Sequence, residues 1–235
     1  MSSLFGDFPA QPTAANTAQP TFTFPQLLTE KYRPRTIADF VGLNKPKALM
    51  LGLAAAPMSS GWLFTGASGT GKTTLAIALA ATIPAQIHHI PSQQCNVARL
   101  AEVCRDCEYF PMQGCRFHII LIDEADQMSA AAQLACLSRL DGTAPLADTI
   151  WIFTCNDTTN FEPRFLSRVF QVAFSKEGIS KDATALLARI WDAEAHANAI
   201  APNFARLVKE ANNNVRESIM SLQSELMLAR FAVAA

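Results

Sequence analysis

The sequence predicts an α/β fold, a five-stranded parallel sheet with helices on both faces followed by a small three-helix unit. Three observations predict it. Five short apolar runs alternate with helical patterns up to Phe174. One of them, His118-Ile119-Ile120-Leu121-Ile122, is almost continuously apolar, as a parallel strand buried on both faces requires. After Phe174 strand-like runs stop, and only apolar stripes at three- and four-residue spacing remain.

The elements follow in order. Residues 1–27 hold four prolines, no Lys or Arg and a single charge, Asp7, and are expected to form a flexible tail. Ser3-Leu4-Phe5 and Phe8 within it are candidates for a short docking peptide. The α/β body is assigned to 28–176. Its strands are Trp62–Thr65, Ala85–Ile90, His118–Asp123, Ile150–Cys155 and Val169–Phe174. Helices are expected at 72–82, 96–109, 129–140 and, briefly, 161–167. In the second of these, Val97, Leu100, Val103, Cys104 and Cys107 should share a face. Residues 177–235 form the helical unit, with helices near 180–195, 202–211 and 213–231. Leu186, Leu187, Ile190 and Trp191 mark the inner face of the first, and Val215, Ile219, Leu222 and Leu226 that of the third.

Composition narrows the function. With 235 residues, 50% of them hydrophobic, the chain can bury one core and a small second one. No apolar run reaches the eighteen or so residues of a membrane span, so a cytoplasmic protein with no membrane partner is expected. A net charge of −1 provides no global basic field for autonomous nucleic-acid binding. The six cysteines are expected to be reduced. The spacing of Cys95, Cys104, Cys107 and Cys115 fits a four-thiolate zinc set, but buried apolar cysteines on a helix explain it more simply.

Chemistry enters at Gly66-Ala67-Ser68-Gly69-Thr70-Gly71-Lys72-Thr73, which satisfies G-x-x-x-x-G-K-[ST] between a strand and a helix. Glycines let the backbone close around a polyphosphate and aim N–H groups at its oxygens, and the helix N-terminus adds its positive end. Gly66, Ser68, Gly69, Thr70, Gly71, Lys72, Thr73 and Thr74 are therefore the expected nucleotide-binding residues. Asp123 and Glu124 end a buried strand, at the edge where open parallel sheets bind ligands. With Thr73 as a direct ligand, Asp123 is placed to hold Mg2+, and Glu124 to polarise an attacking water.

Further motifs resemble the clamp-loader subunits of the AAA+ ATPases, both the bacterial gamma type and the replication factor C small-subunit type. Glu30-Lys31-Tyr32-Arg33-Pro34-Arg35-Thr36-Ile37-Ala38-Asp39-Phe40-Val41-Gly42 looks like their N-terminal signature. Asp123-Glu124-Ala125-Asp126, Thr154-Cys155-Asn156, Pro163-Arg164-Phe165-Leu166-Ser167-Arg168 and Asn213-Asn214-Val215-Arg216 follow in the family's order. The resemblance covers about 30–230 and implies a P-loop AAA+ ATPase domain followed by a helical lid, binding ATP and Mg2+. It assigns Tyr32 and Arg33 to the adenine side, Asn156 to a sensor of the γ-phosphate or lytic water, and Arg216 to a second sensor on the lid. Arg168, with Arg164 as second choice, is the arginine completing a neighbour's site in a ring. Implied partners are other loader subunits or further copies of the chain, a sliding clamp and primer-template DNA.

Two departures stand out. Val169 replaces the family's Cys after Arg168, and Asn213-Asn214 replace its Gly-Asp. Family members also carry a third helical collar domain beyond the point corresponding to Ala235, so a ring built through ATPase faces or a partner's collar is expected. Other AAA+ clients (helicase loading, branch migration, transposition) and a non-catalytic, ATP-dependent assembly subunit are the alternative readings.

Overall fold

The computed structural model describes residues 26–112, 114–141, 146–196 and 199–234. The docking-peptide candidates Ser3-Leu4-Phe5 and Phe8 lie outside the described residues, as does almost all of the expected tail.

Five strands form one sheet: β1 (Ser60–Thr65), β2 (Ala85–Pro91), β3 (Phe117–Asp123), β4 (Thr149–Cys155) and β5 (Phe170–Ala173). Their order is β2-β3-β4-β1-β5, and every pairing is parallel. All five therefore end at one carboxyl edge. Alternation along each strand divides the core in two. Trp62 and Phe64 of β1, Ile119 and Leu121 of β3, and Ile150 and Ile152 of β4 face one side. Leu63, Ile120, Ile122, Trp151 and Phe153 face the other. Both faces are covered, which is why these strands read as unbroken apolar runs.

The first face packs against α2 (Asn44–Ala55) and α3 (Lys72–Thr82), and the second against α4 (Val97–Asp106), α5 (Ala130–Leu140) and the short α6 (Pro163–Leu166). Side chains set several helix starts. Asn96, Ser129 and Asn203 accept from the backbone N–H groups of Arg99, Ala132 and Arg206, satisfying donors that a helix leaves free at its first turn. Helix α4 ends at Asp106, short of the expected 109, and Val97 is exposed rather than on its buried face. The residue sits at the first helical position, before the buried stripe of Leu100, Val103 and Cys104 begins. Helix α2 has no counterpart in the sequence reading.

Helices α7 (Ile179–Glu194), α8 (Phe204–Glu210) and α9 (Val215–Ala234) pack on one another. Leu187, Ile190, Trp191, Leu207, Val208, Ile219, Leu222 and Leu226 join the core on the α3 side of the sheet. The N-terminal segment ties this unit down. Leu28, at the start of the single-turn helix α1 (Leu28–Lys31), donates its N–H to Gln223 Oε1 at 3.1 Å. Tyr32 donates its hydroxyl to Glu194 Oε1 at 2.6 Å, and Lys31 Nζ reaches the same oxygen at 2.6 Å.

Burial, the hydrogen bond to Glu194 and that carboxylate's charge together push the Tyr32 phenol up to about 12. The folded pKa lies above the unfolded value of about 10, so this stabilisation is complete below about pH 10 and fades as pH rises towards 12. Tyr32→Phe should cost about 1 kcal/mol in urea unfolding at pH 8. It should also remove the part of the alkaline stability loss that falls between about 10 and 12. An unchanged alkaline profile would show that the clasp does not couple to folding.

Candidate functional site

The site lies at the carboxyl edge of the sheet, where β1, β3 and β4 deliver their following residues side by side. The loop after β1 holds Gly66 at φ 147°, Gly69 at φ 76° and Gly71 at φ 94°, backbone that favours glycine. Space imposes the same choice at Gly69, where a Cβ would come within 2.3 Å of Asn214 Oδ1. Lys72 opens α3, and its ammonium curls back onto the carbonyls of Gly66 (2.6 Å) and Ala67 (3.1 Å), with Asn156 Oδ1 at 3.3 Å. Thr70 Oγ1 donates to the Ala67 carbonyl at 2.8 Å, closing the loop on itself.

Beside this loop, Asp123 Oδ1 accepts from Thr73 Oγ1 and Thr154 Oγ1, each at 2.7 Å, and its Oδ2 lies 3.0 Å from His89 Nε2. Register explains the second contact: Ile122 lies opposite Phe153, so the next pair is Asp123 and Thr154. Glu124 follows in the left-handed region at φ 53°, is exposed, and donates its backbone N–H to Thr154 Oγ1 at 3.2 Å. Asn156, also exposed, follows the end of β4, the strand between β1 and β3. Lys72, Thr73, Asp123, Glu124, Thr154 and Asn156 are thus brought to one edge.

A cavity of about 790 Å³ adjoins the loop. Tyr32, Arg33, Gly69, Thr70, Gly71, Thr74 and Arg216 line it, together with Arg35 and Arg189. Its walls come from the N-terminal segment, the glycine-rich loop and helices α7 and α9, so it runs between the sheet body and the helical unit. Asn214 joins the two directly. Its Nδ2 donates to the Ser68 carbonyl at 3.2 Å, while its Oδ1 caps α9 by accepting from Glu217 N at 3.3 Å.

Electrostatics favour an anion here. Burial depresses the Lys72 pKa, and Arg216 lowers it further against the opposing charges of Asp126 and Asp123. Only 9% of Lys72 is exposed, so its charge has lost most of its water and gains from a phosphate at the loop. The donors also suit Mg2+. The Thr73 hydroxyl and the Asp123 carboxylate are hard oxygens that already converge within 2.7 Å beside the phosphate loop.

Arg168 stands apart from all this. Trp62 pairs with Phe170, so Arg168 lies level with Ser60 at the amino edge. Six residues of parallel strand separate that level from Gly66, roughly 20 Å at 3.3 Å per residue. Asp141 Oδ1 accepts from Arg168 Nε, and the Arg164 carbonyl accepts from its Nη1 at 2.8 Å. The Asp141 hydrogen bond raises the arginine pKa and lowers that of the aspartate. Arg164 pairs with Glu162 at 3.5 Å and is well exposed.

Sequence reasoning missed three contacts. Thr154 stands two residues before Asn156, in a motif already singled out, but its contact with Asp123 depends on β3 lying next to β4. No local signal marked the His89 contact, which depends on β2 lying next to β3. Asn214 belongs to the last of the sequence motifs, but nothing local marked it as a bridge to the loop.

Comparisons with known proteins agree with this geometry. Residues 62–176 match the ATPase family associated with various cellular activities (AAA). The replication factor C small subunit of Methanocella arvoryzae is 27% identical over 212 residues, covering 87% of this chain and 65% of that protein. The Haloarcula marismortui counterpart is 28% identical over 201 residues, covering 83% and 61%. The chain thus spans less than two thirds of the length of these relatives. Among solved structures, the Thermotoga maritima RuvB Holliday junction branch migration motor superposes with a TM-score of 0.67 at 15% identity, covering 82% of this chain and 64% of that one. That similarity is one of fold.

If Lys72 is the phosphate-neutralising group, Lys72→Ala should abolish measurable nucleotide binding in a fluorescent-nucleotide titration while leaving the circular dichroism spectrum unchanged. Retained affinity would remove the loop from the site. A glycine-rich loop between strand and helix, acids ending the third strand and the match over residues 62–176 lead to one conclusion: this segment is an AAA-type ATPase domain, and the chain resembles replication factor C small subunits.

Proposed function

We propose that the chain is an ATP-hydrolysing motor subunit of a DNA sliding-clamp loader, working in a ring in which each arginine finger serves a neighbour's site. The observation that carries this reading is the separation of Arg168 from the phosphate loop along the sheet. The two lie at opposite edges, so Arg168 cannot reach its own loop, yet an adjoining subunit's loop can be brought to it. Asp141 and the Arg164 carbonyl hold the guanidinium in place, which suits a group that must meet a developing charge without reorganising.

In this reading ATP lies across the cavity. Its base and sugar rest between Tyr32, Arg33 and the helical unit, and its phosphates on Gly66–Thr74. Thr73 and Asp123 would hold Mg2+, which supplies positive charge to the β and γ oxygens. Lys72 exchanges its loop carbonyls for phosphate oxygens. Glu124 orients a water and takes its proton as the water oxygen bonds to the γ-phosphorus and the bond to the β-bridging oxygen breaks. Asn156 hydrogen-bonds that water or the γ-phosphate without adding charge, and Arg216 reaches the same phosphate from the start of α9.

The assignment of 28–176 as body and 177–235 as lid gives the motion. A nucleotide touching both units favours one relative orientation, and its hydrolysis releases it. The names of the archaeal relatives support clamp loading as the work done, with a sliding clamp, primer-template DNA and other subunits as partners. Among the described residues no helix is long and apolar enough to cross a membrane, in keeping with that role.

ATPase assays with and without primed DNA and a cognate clamp test the client, and turnover unmoved by both would remove the clamp-loader reading. Glu124→Gln should bind ATP with little change and lose at least about a hundredfold in turnover. Near-normal turnover would take Glu124 out of water activation. Mixing Arg168→Ala with Lys72→Ala protein should restore part of the ATPase lost in each alone. Absence of rescue at every mixing ratio would rule out action between subunits.

A further inference from the structure

On the α4 face of the sheet, away from the nucleotide cavity, three metal-ligating side chains converge. His88 on β2, His118 on β3 and Cys107 at the C-terminal cap of α4 place one ligand atom each within 4.8 Å of one another. We propose that these three residues form a thiolate–imidazole site for a zinc-class divalent cation, one that clamps the end of α4 to β2 and β3.

The surroundings fit such a site. His118 is only 2% exposed and Cys107 only 5%, so both donors are sheltered from competing water. His118 Nε2 lies 3.0 Å from the Tyr109 carbonyl, which can only accept, so that nitrogen carries the hydrogen. In the neutral ring the lone pair is then on Nδ1, the atom 3.0 Å from His88 Nε2. A backbone carbonyl that fixes the tautomer of a metal-ligating histidine is a recurrent outer-shell arrangement. As the site stands, His88 Nε2–H donates to His118 Nδ1. Binding moves the His88 hydrogen to its other ring nitrogen and releases the Cys107 thiol proton, leaving two imidazole nitrogens and one thiolate for the cation.

Ligand atoms around a tetrahedral zinc lie roughly 3.3–3.8 Å apart, from bonds of about 2.0–2.3 Å. The histidine nitrogens must therefore separate by only a few tenths of an ångström. Three protein ligands leave the fourth position to solvent. The four-cysteine set suggested by sequence spacing does not form: Cys95, Cys104, Cys107 and Cys136 all lie in one apolar cluster, and the described residues show no grouping of Cys107 with three other thiols. The segment leaving Cys107 carries exposed Tyr109, Phe110 and Met112, and the Met112 N–H is already tied to Gln86 Oε1 at 2.8 Å. A cation would fix the same segment at a second point.

The test is titration of untagged, full-length, metal-free protein with Zn2+ and, for its spectrum, with Co2+. Expected are one equivalent bound, a thiolate-to-cobalt charge-transfer band and a higher unfolding temperature with Zn2+. Cys107→Ser should abolish the charge-transfer band. His88→Gln, at a half-buried position where the amide can still hydrogen-bond His118, keeps the fold and should weaken Zn2+ at least about tenfold. Cys115→Ser should change nothing. No saturable binding by the wild-type chain, or full affinity in His88→Gln, would overturn the proposal, as would loss of the band in Cys115→Ser. ATP binding is read separately, so failure here leaves the nucleotide site untouched.

Discussion

The Asp123 carboxylate holds the site together. One oxygen takes hydrogen bonds from Thr73 at the start of α3 and from Thr154 on β4, and the other takes His89 from the end of β2. Four segments far apart in sequence are fixed to one another by these contacts. They can meet only because all strands run the same way and end at one edge. Had β4 been antiparallel, Thr154 and Asn156 would have pointed away from the loop.

The cost of this arrangement falls on Lys72. With the Lys72 residue only 9% exposed, its ammonium, served by two loop carbonyls and the Asn156 amide oxygen, is poorly solvated for its charge. The loop is thus prepared for an anion and unrewarded without one. Lys72 and Arg216 also oppose each other, so bringing the start of α9 to the loop becomes easier once negative charge lies between them. Asn214 gives the approach a fixed point by bonding Ser68 while it caps α9. In the proposed cycle, these few side chains couple the position of α9 to phosphate occupancy.

The same sheet geometry separates what one subunit holds from what it presents. Phosphate-facing residues follow the carboxyl ends of strands, whereas Arg168 precedes β5 and is anchored to Asp141 after α5. Under the proposed function, a single chain therefore has a receiving edge and a donating edge. This head-to-tail polarity is what a closed ring requires of an interface that is not its own mirror.

The sequence by itself determined the five strands, the all-parallel sheet and the residues of the glycine-rich loop, because apolar runs and backbone-restricted glycines are written locally. It also placed Glu124, Asn156 and Arg216 at element ends, with the family resemblance supplying their expected roles. Only the tertiary structure decided what those residues touch. The His89–Asp123 contact, the Asn214 bridge and the Cys107–His88–His118 cluster each join positions whose proximity depends on strand order and helix docking. Cysteine spacing suggested four thiols at one point, but Cys104 and Cys107 both enter the core on the α4 side, where Cys107 meets two strand histidines. Local pattern sets which element forms. Which partner a side chain meets is a property of the packed whole, since it depends on neighbours arriving from distant parts of the chain.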